Sequence, residues 1–340
     1  MKAAVLYANE DIRYDDYPTP TTTPDAVIVK VRAAGICGSD VPRVLYNGAH
    51  YYPNVLGHEF SGEVVEVGKN VNTLAIGDRV SGAPLLPCMA CKHCLKGFYA
   101  QCKNYSFIGS REQGGFAEYV KIPARNAVKF GDTISWEQGA LFEPSTVALH
   151  ALRLVNYTGS SDVAILGGGT IGAFTVQWAK IFGAKSITII DISDERLELC
   201  KKLGADIAIN TRTGAPPKDK YDYVFETAGV TDTMRLAFEI SATKANICFV
   251  GTPTQDLNFT PKLFENMNRK EFMLTGSWMS YSAPFPGEEW ELTAHYFATG
   301  QLRFDPNLIY RTYPLSHAAE AFALLKEPAS VKGKIMFINE

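Results

Sequence analysis

Six short apolar segments recur between residues 163 and 276, and several of them are separated by stretches with helical periodicity. The segments are VAILG from 163, SITIID from 186, ADIAIN from 205, YDYVFETAG from 221, ANICFVG from 245 and EFMLTGS from 271. In IGAFTVQWAKIFGA, for example, the side chains of Ile171, Thr175, Trp178, Ala179 and Phe182 share one helix face. Strands that alternate with helices indicate right-handed βαβ units and a parallel sheet, and six strands complete a doubly wound domain.

The first of these segments runs into a glycine-rich turn, VAILGGGTIGAF. Gly167, Gly169 and Gly172 stand in G-x-G-x-x-G register between the strand and a helical pattern, as in loops that bind a pyrophosphate at a helix N-terminus. Asp191 ends the second segment, nineteen residues after Gly172. A carboxylate there can accept hydrogen bonds from both ribose hydroxyls and would repel a 2′-phosphate. The sequence therefore predicts a dinucleotide site that prefers NAD to NADP.

The residues of this motif also have ordinary alternatives. The glycines could form a strand-to-helix turn with no ligand, and Asp191 could belong to a helix N-terminus, a role that Ser193 could also fill. Arg196, one turn further on, could lie over the adenosine ribose or be a solvated helix charge.

The character of the chain changes near residue 148. Residues 1–147 contain short apolar runs broken by turn signals, which is typical of a β-barrel or sandwich-like domain. After about residue 285 the chain is polar and Pro-rich, and it ends in one helix-like stretch, LSHAAEAFALLK, and a strand, GKIMFIN. This tail is short for an independent domain. We therefore expect one domain from residues 1–147 completed by 285–340, and a nucleotide-binding domain from 148–284.

Composition limits the classes of partner. The net charge is −3, so no basic excess favours nucleic acid or an anionic membrane. The first residues, MKAAVLYANEDIRYDDYP, carry acids and no long apolar core, which argues against a secretory signal, and no apolar run approaches the roughly 18 residues of a membrane helix. We expect a soluble cytoplasmic protein.

Four of the seven cysteines lie within fifteen residues, at Cys88, Cys91, Cys94 and Cys102. An odd total without a signal peptide argues against a disulfide framework. The C-x2-C-x2-C-x7-C spacing lets one loop surround a tetrahedral zinc ion with no open position, which makes the site structural. An iron–sulfur cluster or a redox dithiol is the alternative, and His93 could replace one cysteine.

A second set of residues has the ligand types of catalytic zinc, where three protein groups leave one position open. Cys37 lies in AGICGSD, His58 and Glu59 lie in LGHEFSG, and Glu143 lies in ALFEPSTVALHA. Each could instead be ordinary, as a buried thiol, a satisfied histidine or a carboxylate at a helix start. The sequence does not show whether they converge in space.

Taken together, GICGSD, GHEFSGEV, the four-cysteine loop, FEP, GGGTIG and GSW resemble the zinc-dependent medium-chain dehydrogenases, in particular the polyol (sorbitol-type) branch. The motifs follow that family's order over nearly the whole chain. The resemblance implies an α/β plus β fold, with a GroES-like catalytic barrel, a Rossmann domain and an active site in the cleft between them. It also implies two zinc ions per chain, NAD as cofactor and a homodimer or homotetramer.

Roles for individual residues follow from the same resemblance. Cys37, His58 and Glu143 would bind the catalytic zinc, and Glu59 would lie beside the metal and exchange with Glu143 or water. Ser39 would carry the proton away from the substrate oxygen. The cofactor-binding residues would be Gly167, Gly169, Thr170, Ile171, Gly172, Asp191, Arg196, Val250, Gly251, Gly276 and Ser277.

One position departs from the polyol branch. Many members have a histidine three residues after the serine of GICGSD, where this chain has Pro42 followed by Arg43. The usual outer proton relay is therefore absent or rerouted, and His50 is a candidate substitute unless it is a surface histidine. A substrate phosphate would need cations, for which we nominate Arg43, Lys96 and Arg111, although each could be a solvated surface charge.

The predicted activity is the reversible oxidation of a secondary alcohol of a polyol phosphate, with zinc and NAD. One alternative is another dehydrogenase of the same superfamily that acts on sorbitol, butanediol or threonine. Two others are a non-catalytic NAD and zinc sensor and a silent relative, which would commonly lack the zinc ligands that this chain retains.

Overall fold

The computed structural model describes residues 1–327 and 330–339, which form two compact units. The first unit contains Met1–Glu143, Tyr281–Gly300 and the chain from Ile309 onward, and the second contains Pro144–Ser280 and Gln301–Leu308. The sequence placed the boundaries after 147 and 284, and it assigned all of 285–340 to the first domain. Residues 301–308 instead group with the second unit.

Strands dominate the chain before Glu143. In order, the elements are β1 (Lys2–Ala8), β2 (Asp11–Asp16), β3 (Ala26–Gly35), α1 (Asp40–Leu45), β4 (Asn54–Val55), β5 (Glu59–Val67), β6 (Arg79–Gly82), β7 (Leu85–Leu86), β8 (Ser106–Phe107), β9 (Tyr119–Pro123), β10 (Ala127–Lys129) and α2 (Trp136–Ala140). Short 3-10 turns lie at Cys94–Lys96, Tyr99–Gln101 and Ala124–Asn126.

Strands and helices then alternate, before a short mixed tail. These elements are α3 (Phe142–Leu154), β11 (Asp162–Leu166), α4 (Thr170–Ile181), β12 (Ser186–Asp191), α5 (Asp194–Leu203), β13 (Ile207–Asn210), β14 (Tyr221–Glu226), α6 (Thr231–Ile240), β15 (Ser241–Phe249), α7 (Pro261–Lys270), β16 (Met273–Gly276), α8 (Glu288–Ala298), β17 (Ile309–Pro314), α9 (Ala318–Leu324) and β18 (Lys334–Ile338). Two further 3-10 turns lie at Pro306–Leu308 and Leu315–His317. Among the described residues, no helix combines the length and the apolar character needed to cross a bilayer.

The second unit is built on a six-stranded parallel sheet in the order β13-β12-β11-β14-β15-β16. This order is the doubly wound one that the six apolar segments predict, with the chain reversing direction across the sheet between β11 and β14. The strands bury Leu166, Val224 and Ile247 against helix residues such as Phe238. In the short segment that joins this unit, the backbone N–H of Arg303 donates a hydrogen bond of 2.7 Å to the side chain of Gln177, and Leu302 is buried. These contacts explain why residues 301–308 group here.

The first unit is built on a seven-stranded sheet in the order β10-β6-β5-β3-β18-β17, with β9 also paired to β3. Strand β3 is buried along most of its length and lies between β5 and β18, so both faces carry apolar side chains. The register places Gly35 beside Glu59 on one side and beside Met336 on the other. The C-terminal strand therefore completes the sheet at the point where the two sequence motifs around Cys37 and His58 meet.

The sequence predicts a single helix after residue 285, whereas the structure also contains helix α8 there. Its residues Trp290, Thr293 and Phe297 are buried at i, i+3 and i+7, so the helical period is present among the acidic residues. The ring of Phe297 stacks on Phe142 with centroids 5.7 Å apart, and Trp290 stacks on Tyr281 at 6.1 Å. The helix therefore covers the core of the first unit.

The turn from β11 into α4 gives a test of this packing. A Cβ atom at Gly172 would overlap the carbonyl oxygen of Gly167 and lie 3.1 Å from the hydroxyl of Thr227. We expect Gly172→Ala to lower the free energy of unfolding by about 1–3 kcal/mol, the usual cost of overpacking, as measured by urea denaturation. A Cβ at Gly169 would meet nothing within 4 Å, so Gly169→Ala should change that free energy by about 1 kcal/mol or less. Equal losses would contradict this account.

Candidate metal centres and nucleotide site

The four clustered cysteines bring their sulfur atoms within 4.8 Å of one another. The Sγ–Sγ distances are 3.6 Å between Cys91 and Cys94, 3.9 Å between Cys88 and Cys94, and 3.9 Å between Cys91 and Cys102. A tetrahedron with Zn–S bonds of about 2.3 Å has edges of about 3.8 Å. The thiols therefore fit one zinc ion with no open position. An iron–sulfur cluster would place several atoms between its thiolates and would need wider separations.

The electrostatics of the loop agree with a bound cation. Backbone N–H groups of Cys94 and Lys103 lower the pKa of Cys91 to about 6, which favours its thiolate. Burial raises the pKa of Cys94 to about 12, so that thiol needs a positive charge nearby to become a ligand. The remaining backbone contacts include the N–H of Cys88, which donates to the sulfur of Cys102 at 3.3 Å.

Aromatic packing anchors the same loop to the segment after residue 281. Tyr99 is buried, and its ring meets Phe285 edge-on with centroids 5.3 Å apart. Phe285 stacks in turn on Tyr281 at 5.6 Å, and the hydroxyl of Tyr281 accepts a hydrogen bond from the N–H of Leu85 at 2.9 Å. The loop is therefore positioned by apolar contacts as well as by its thiols.

A second group of ligand types forms at the ends of β3 and β5. The side chains of Cys37, His58 and Glu59 place one ligand atom each within 4.8 Å of one another. The antiparallel register pairs Gly35 with Glu59, which brings the chain after β3 next to the start of β5. A side chain at Gly35 would overlap the carboxylate of Glu59, so the glycine makes room for this group.

Asp40 orients the histidine of this group, and sequence reasoning missed it. The carboxylate is fully buried, with one oxygen 3.4 Å from Nδ1 of His58 and the other accepting from the N–H of Cys37 at 3.2 Å. Burial alone would lower the pKa of His58, but the charges of Asp40 and Cys37 raise it well above its usual value. An imidazole held by a carboxylate at one nitrogen presents the other to a metal. The signal was available, since Asp40 is the last residue of GICGSD.

Lys334 is the second missed residue, and it lies 275 positions from its partner. Its ammonium group is 2.7 Å from one oxygen of Glu59 and 2.6 Å from the other, and it also donates to the carbonyl of Ile36 at 3.2 Å. Both side chains are buried. Burial lowers the pKa of Lys334, but the charge of Glu59 and its neighbours outweighs this and raises it. Lys334 therefore holds the side chain of Glu59 in place beside the candidate metal position.

Glu143 lies close to the group without being part of it. In the described chain, the three side chains with ligand atoms within 4.8 Å include Glu59 and do not include Glu143. Glu143 stands in the first turn of α3. Burial raises its pKa to about 7, the charge of His58 opposes this shift and that of Glu59 adds to it, so it shares their electrostatic environment.

Ser39 is the N-cap of the short helix α1, and Arg43 lies in the last turn of that helix. The guanidinium of Arg43 donates to the backbone oxygen of Ser39 at 2.7 Å and to its hydroxyl at 2.9 Å, and it lies 3.6 Å from Asp40. Arg43 therefore forms a hydrogen bond with the Ser39 hydroxyl, the group at which an outer proton relay would begin. Arginine stays protonated, so it donates to Ser39 and cannot accept a proton from it.

Three of the four residues nominated for substrate binding are electrostatically linked. The pKa of His50 is lowered first by partial burial and then by the positive charges of Arg111 and Arg43. His50 and Arg111 are exposed, and the guanidinium of Arg111 lies over the ring of Tyr105 at 4.8 Å. Lys96 is exposed in the cysteine loop, and its charge is not among those that act on His50 in the described structure. We call Arg43, His50 and Arg111 the cation group.

In the second unit, the glycine-rich turn is held from both sides. Gly167 has a φ of 102°, a conformation that favours glycine. Asp191 accepts hydrogen bonds from the N–H groups of Gly168 at 2.6 Å, Ile192 at 2.7 Å and Ser193 at 2.8 Å. Ser193, and not Asp191, is the N-cap of α5. Asp191 therefore fixes the loop and places a carboxylate at the end of β12.

The other expected cofactor residues lie at the carboxyl ends of the strands. Gly169 is the N-cap of α4, which contains Thr170, Ile171 and Gly172, and Arg196 lies in the first turn of α5. Val250 and Gly251 follow β15, Gly276 ends β16 and Ser277 donates to the backbone of Phe249 at 2.8 Å. Because ligands of open parallel sheets bind at this edge, the placement fits a dinucleotide.

Comparisons with known proteins agree with both units. A family model described as alcohol dehydrogenase GroES-like domain matches residues 23–132, and one described as zinc-binding dehydrogenase matches 170–295. Galactitol 1-phosphate 5-dehydrogenase of Escherichia coli K12 is 45% identical over 295 residues, which cover 84% of this chain and 85% of that protein. Sorbitol dehydrogenase of Bacillus subtilis 168 is 33% identical over 277 residues, or 75% of this chain and 76% of that protein.

A solved structure extends the similarity to the whole chain. The crystal structure of galactitol-1-phosphate dehydrogenase from Escherichia coli superposes with a TM-score of 0.95 at 42% identity and covers 100% of both chains. The matches confirm the predicted fold class, a GroES-like domain with a doubly wound Rossmann domain. The chain belongs to the zinc-binding, medium-chain alcohol dehydrogenase family and is an enzyme of that family.

Proposed function

We propose that this dehydrogenase oxidises galactitol 1-phosphate reversibly to tagatose 6-phosphate, with NAD as hydride acceptor and two zinc ions per chain. The observation that carries the choice of a phosphorylated polyol is the cation group, because Arg43 bonds directly to Ser39 beside the candidate catalytic metal ligands. The name of the relative from Escherichia coli K12 supports the same substrate.

The residues of the first unit divide the chemical work. Cys37 and His58, with Glu59 or Glu143, would hold the catalytic metal, since thiolate, imidazole and carboxylate are the donors of open zinc sites. When bound, zinc supplies a Lewis acid for the substrate hydroxyl and NAD supplies the hydride acceptor. Asp40 keeps the ring of His58 in place.

The path proposed for the substrate proton runs through Ser39 and His50. The hydroxyl of Ser39 would accept the substrate proton as it passes its own proton to a second group, and the hydrogen bond donated by Arg43 would stabilise negative charge that develops on the serine oxygen during this transfer. Since Arg43 cannot accept the proton from Ser39, another group must accept it. The pKa of His50 is lowered by desolvation and by the two arginines, so its imidazole is neutral near pH 7 and is the candidate acceptor.

The positive charges of Arg43 and Arg111 both act on His50, so an anion among these side chains would be attracted by both. A phosphate monoester carries a charge of about −1.5 to −2 at pH 7 and pairs with arginine through two parallel hydrogen bonds. Both arginines lie near His50, and two of the three side chains are exposed to incoming substrate. The cation group therefore suits the phosphate, whereas an uncharged polyol would gain no charge-assisted contact from it.

The cofactor assignment rests on Asp191. Its carboxylate is tied to the backbone of the glycine-rich loop and of the chain entering α5, so its position is fixed before a cofactor binds. A 2′-phosphate near this charge would be repelled, which favours NAD over NADP. All seven cysteines are free thiols, which fits the reducing cytoplasm where we place the enzyme.

We also infer that two copies associate through the edge of the nucleotide sheet. Strand β16 is the last strand of that sheet, and Met273 and Leu274 on it are 67% and 41% exposed. Phe264 and Trp278, near this strand in the sequence, are 47% and 52% exposed. An apolar, unpaired edge is prone to pair with another chain, and a second copy offers an identical edge. A homotetramer, which the family resemblance also allows, would need a further contact.

A substrate panel tests the function. We expect NAD reduction with galactitol 1-phosphate to be at least about tenfold more efficient in kcat/KM than with unphosphorylated galactitol, sorbitol, butanediol or threonine, because charge-assisted hydrogen bonds contribute about 1.5–3 kcal/mol. NAD should be preferred to NADP. Better turnover of an unphosphorylated alcohol would refute the polyol phosphate assignment, and failure with every alcohol would favour the sensor.

The same pair of substrates tests the cation group within that experiment. Arg111→Met should raise the KM for galactitol 1-phosphate about 10- to 100-fold, from the loss of a charge-assisted contact, and should leave the kinetics with galactitol nearly unchanged. Lys96→Met removes an exposed charge of the same sign and is the control, with little effect on either substrate. Equal losses on both substrates would remove Arg111 from the phosphate site.

Zinc content separates the two metal sites. We expect two zinc ions per wild-type chain by elemental analysis. Cys94→Ser should lose one ion and lower the melting temperature by about 5 °C or more, because a structural site contributes to folding. Cys37→Ser should lose the other ion and nearly all activity with a smaller change in melting temperature. Cys248→Ala, a buried thiol outside both groups, should keep both ions. A wild-type content of one ion would favour the sensor.

The association of two copies depends on the apolar edge. Leu274→Glu should shift the mass measured by light scattering toward that of a monomer, since a carboxylate there would face the same charge on the second copy. Ile207→Glu is the matched control, because Ile207 is 39% exposed on β13 at the opposite end of the sheet. Dissociation by both variants, or by neither, would contradict the assignment of this edge.

A further inference from the structure

Glu226 is a buried carboxyl group that the proposed chemistry does not use. It is the last residue of β14 and is fully inaccessible to solvent. Within residues 1–327 and 330–339, no lysine or arginine forms an ion pair with it. Burial raises its pKa, while three hydrogen bonds oppose that shift. Since burying a carboxyl group without a cation is costly, its contacts show what it stabilises.

One oxygen of this carboxyl organises the turn that follows β14. Oε1 accepts hydrogen bonds of 2.9 Å from the N–H groups of Ala228 and Gly229, and one of 2.7 Å from the hydroxyl of Thr233 in α6. Gly229 has a φ of 70°, so the turn needs both glycine and a fixed acceptor. The carboxyl group thereby ties the turn to the first residues of the next helix.

The other oxygen lies under the loop after β15. Oε2 is buried and has no hydrogen-bond partner in the described structure. A Cβ added at Gly251 would lie 2.9 Å from this oxygen. The backbone oxygen of Glu226 accepts from the N–H groups of Val250 at 2.8 Å and Gly251 at 3.0 Å. One residue therefore contacts both strand-end loops.

A neighbouring contact extends this arrangement to the glycine-rich loop. The hydroxyl of Thr227 donates to the carbonyl oxygens of Leu166 at 3.0 Å and Gly167 at 2.9 Å. Strands β11 and β14 are adjacent, and the order of the sheet reverses between them. Dinucleotides bind outside the carboxyl ends of strands at such a reversal. Glu226 thus lies beneath the backbone on which the cofactor would rest.

We propose that Glu226 is a positioning residue for the nicotinamide cofactor: its carboxyl group holds the 227–230 turn and the 250–251 loop in the conformation that receives the dinucleotide. The inference rests on the dinucleotide site of the proposed function. It needs an acceptor at Oε1 and no net charge, so glutamine should replace the carboxyl group and alanine should not.

The test measures cofactor affinity directly. The dissociation constant of the reduced cofactor is determined by fluorescence titration for wild type, Glu226→Gln and Glu226→Ala, using whichever of NADH and NADPH binds wild type more tightly. We expect Glu226→Ala to raise the dissociation constant at least about tenfold and Glu226→Gln to stay within about threefold, since the loss of buried acceptor contacts weakens the loops. The kcat at saturating cofactor should stay within about threefold in both variants.

Two further variants keep the test decisive. Tyr221→Phe alters an equally buried side chain at the other end of β14 and should leave cofactor affinity unchanged. Thr233→Val removes one of the three donors to Oε1, is milder than Glu226→Ala, and should raise the dissociation constant about two- to fivefold.

Several results would overturn the proposal. These are unchanged affinity in Glu226→Ala or Thr233→Val, equal weakening in Tyr221→Phe, or failure of glutamine to restore binding. Tighter binding of NADPH than of NADH would refute the NAD assignment and would leave this test of Glu226 intact.

Discussion

The antiparallel register between β3 and β5 determines the chemistry of the first unit. It pairs Gly35 with Glu59. Cys37 follows Gly35 and His58 precedes Glu59, so both lie at the same point of the sheet. Strand β18 lies on the other side of β3 and brings Lys334 to Glu59. A shift of one residue would turn these side chains to the opposite face. The metal ligands and their countercharge therefore depend on one strand alignment that apolar packing enforces.

The two units handle buried charge in different ways. In the first unit, Asp40 faces His58 and Lys334 faces Glu59, so each of these two buried acids has a basic partner. In the second, Glu226 has hydrogen bonds and, among residues 1–327 and 330–339, no cationic partner. A paired charge keeps its ionised form and can serve a metal, whereas a carboxyl group held by backbone donors mainly fixes the shape of a loop. The difference matches a unit that performs chemistry and a unit that binds a cofactor.

Sequence patterns predicted the features that local spacing encodes. The parallel sheet, the glycine-rich turn and the cysteine loop each depend on residues that are close along the chain, and the structure places them as expected. Lys334 was not predictable, because its partner lies 275 residues away and nothing around it marks an ion pair. In the described chain, Glu59 and not Glu143 has a ligand atom within 4.8 Å of those of Cys37 and His58. This arrangement also depends on strand register, which residue types do not reveal. Helix α8 could have been predicted from the sequence, since its buried positions carry a helical period.

Arg43 shows why a missing relay residue need not mean lost activity. A histidine that accepts a proton from Ser39 works by its own titration, and arginine cannot do so. Arginine instead offers a permanent charge, which stabilises an anion at Ser39 and attracts one in the substrate. One side chain serves both purposes when the substrate itself is anionic, because the charges of Arg43 and Arg111 both act near His50 and would attract such a substrate. The loss of the relay histidine and a preference for a phosphorylated substrate would then have a single physical cause.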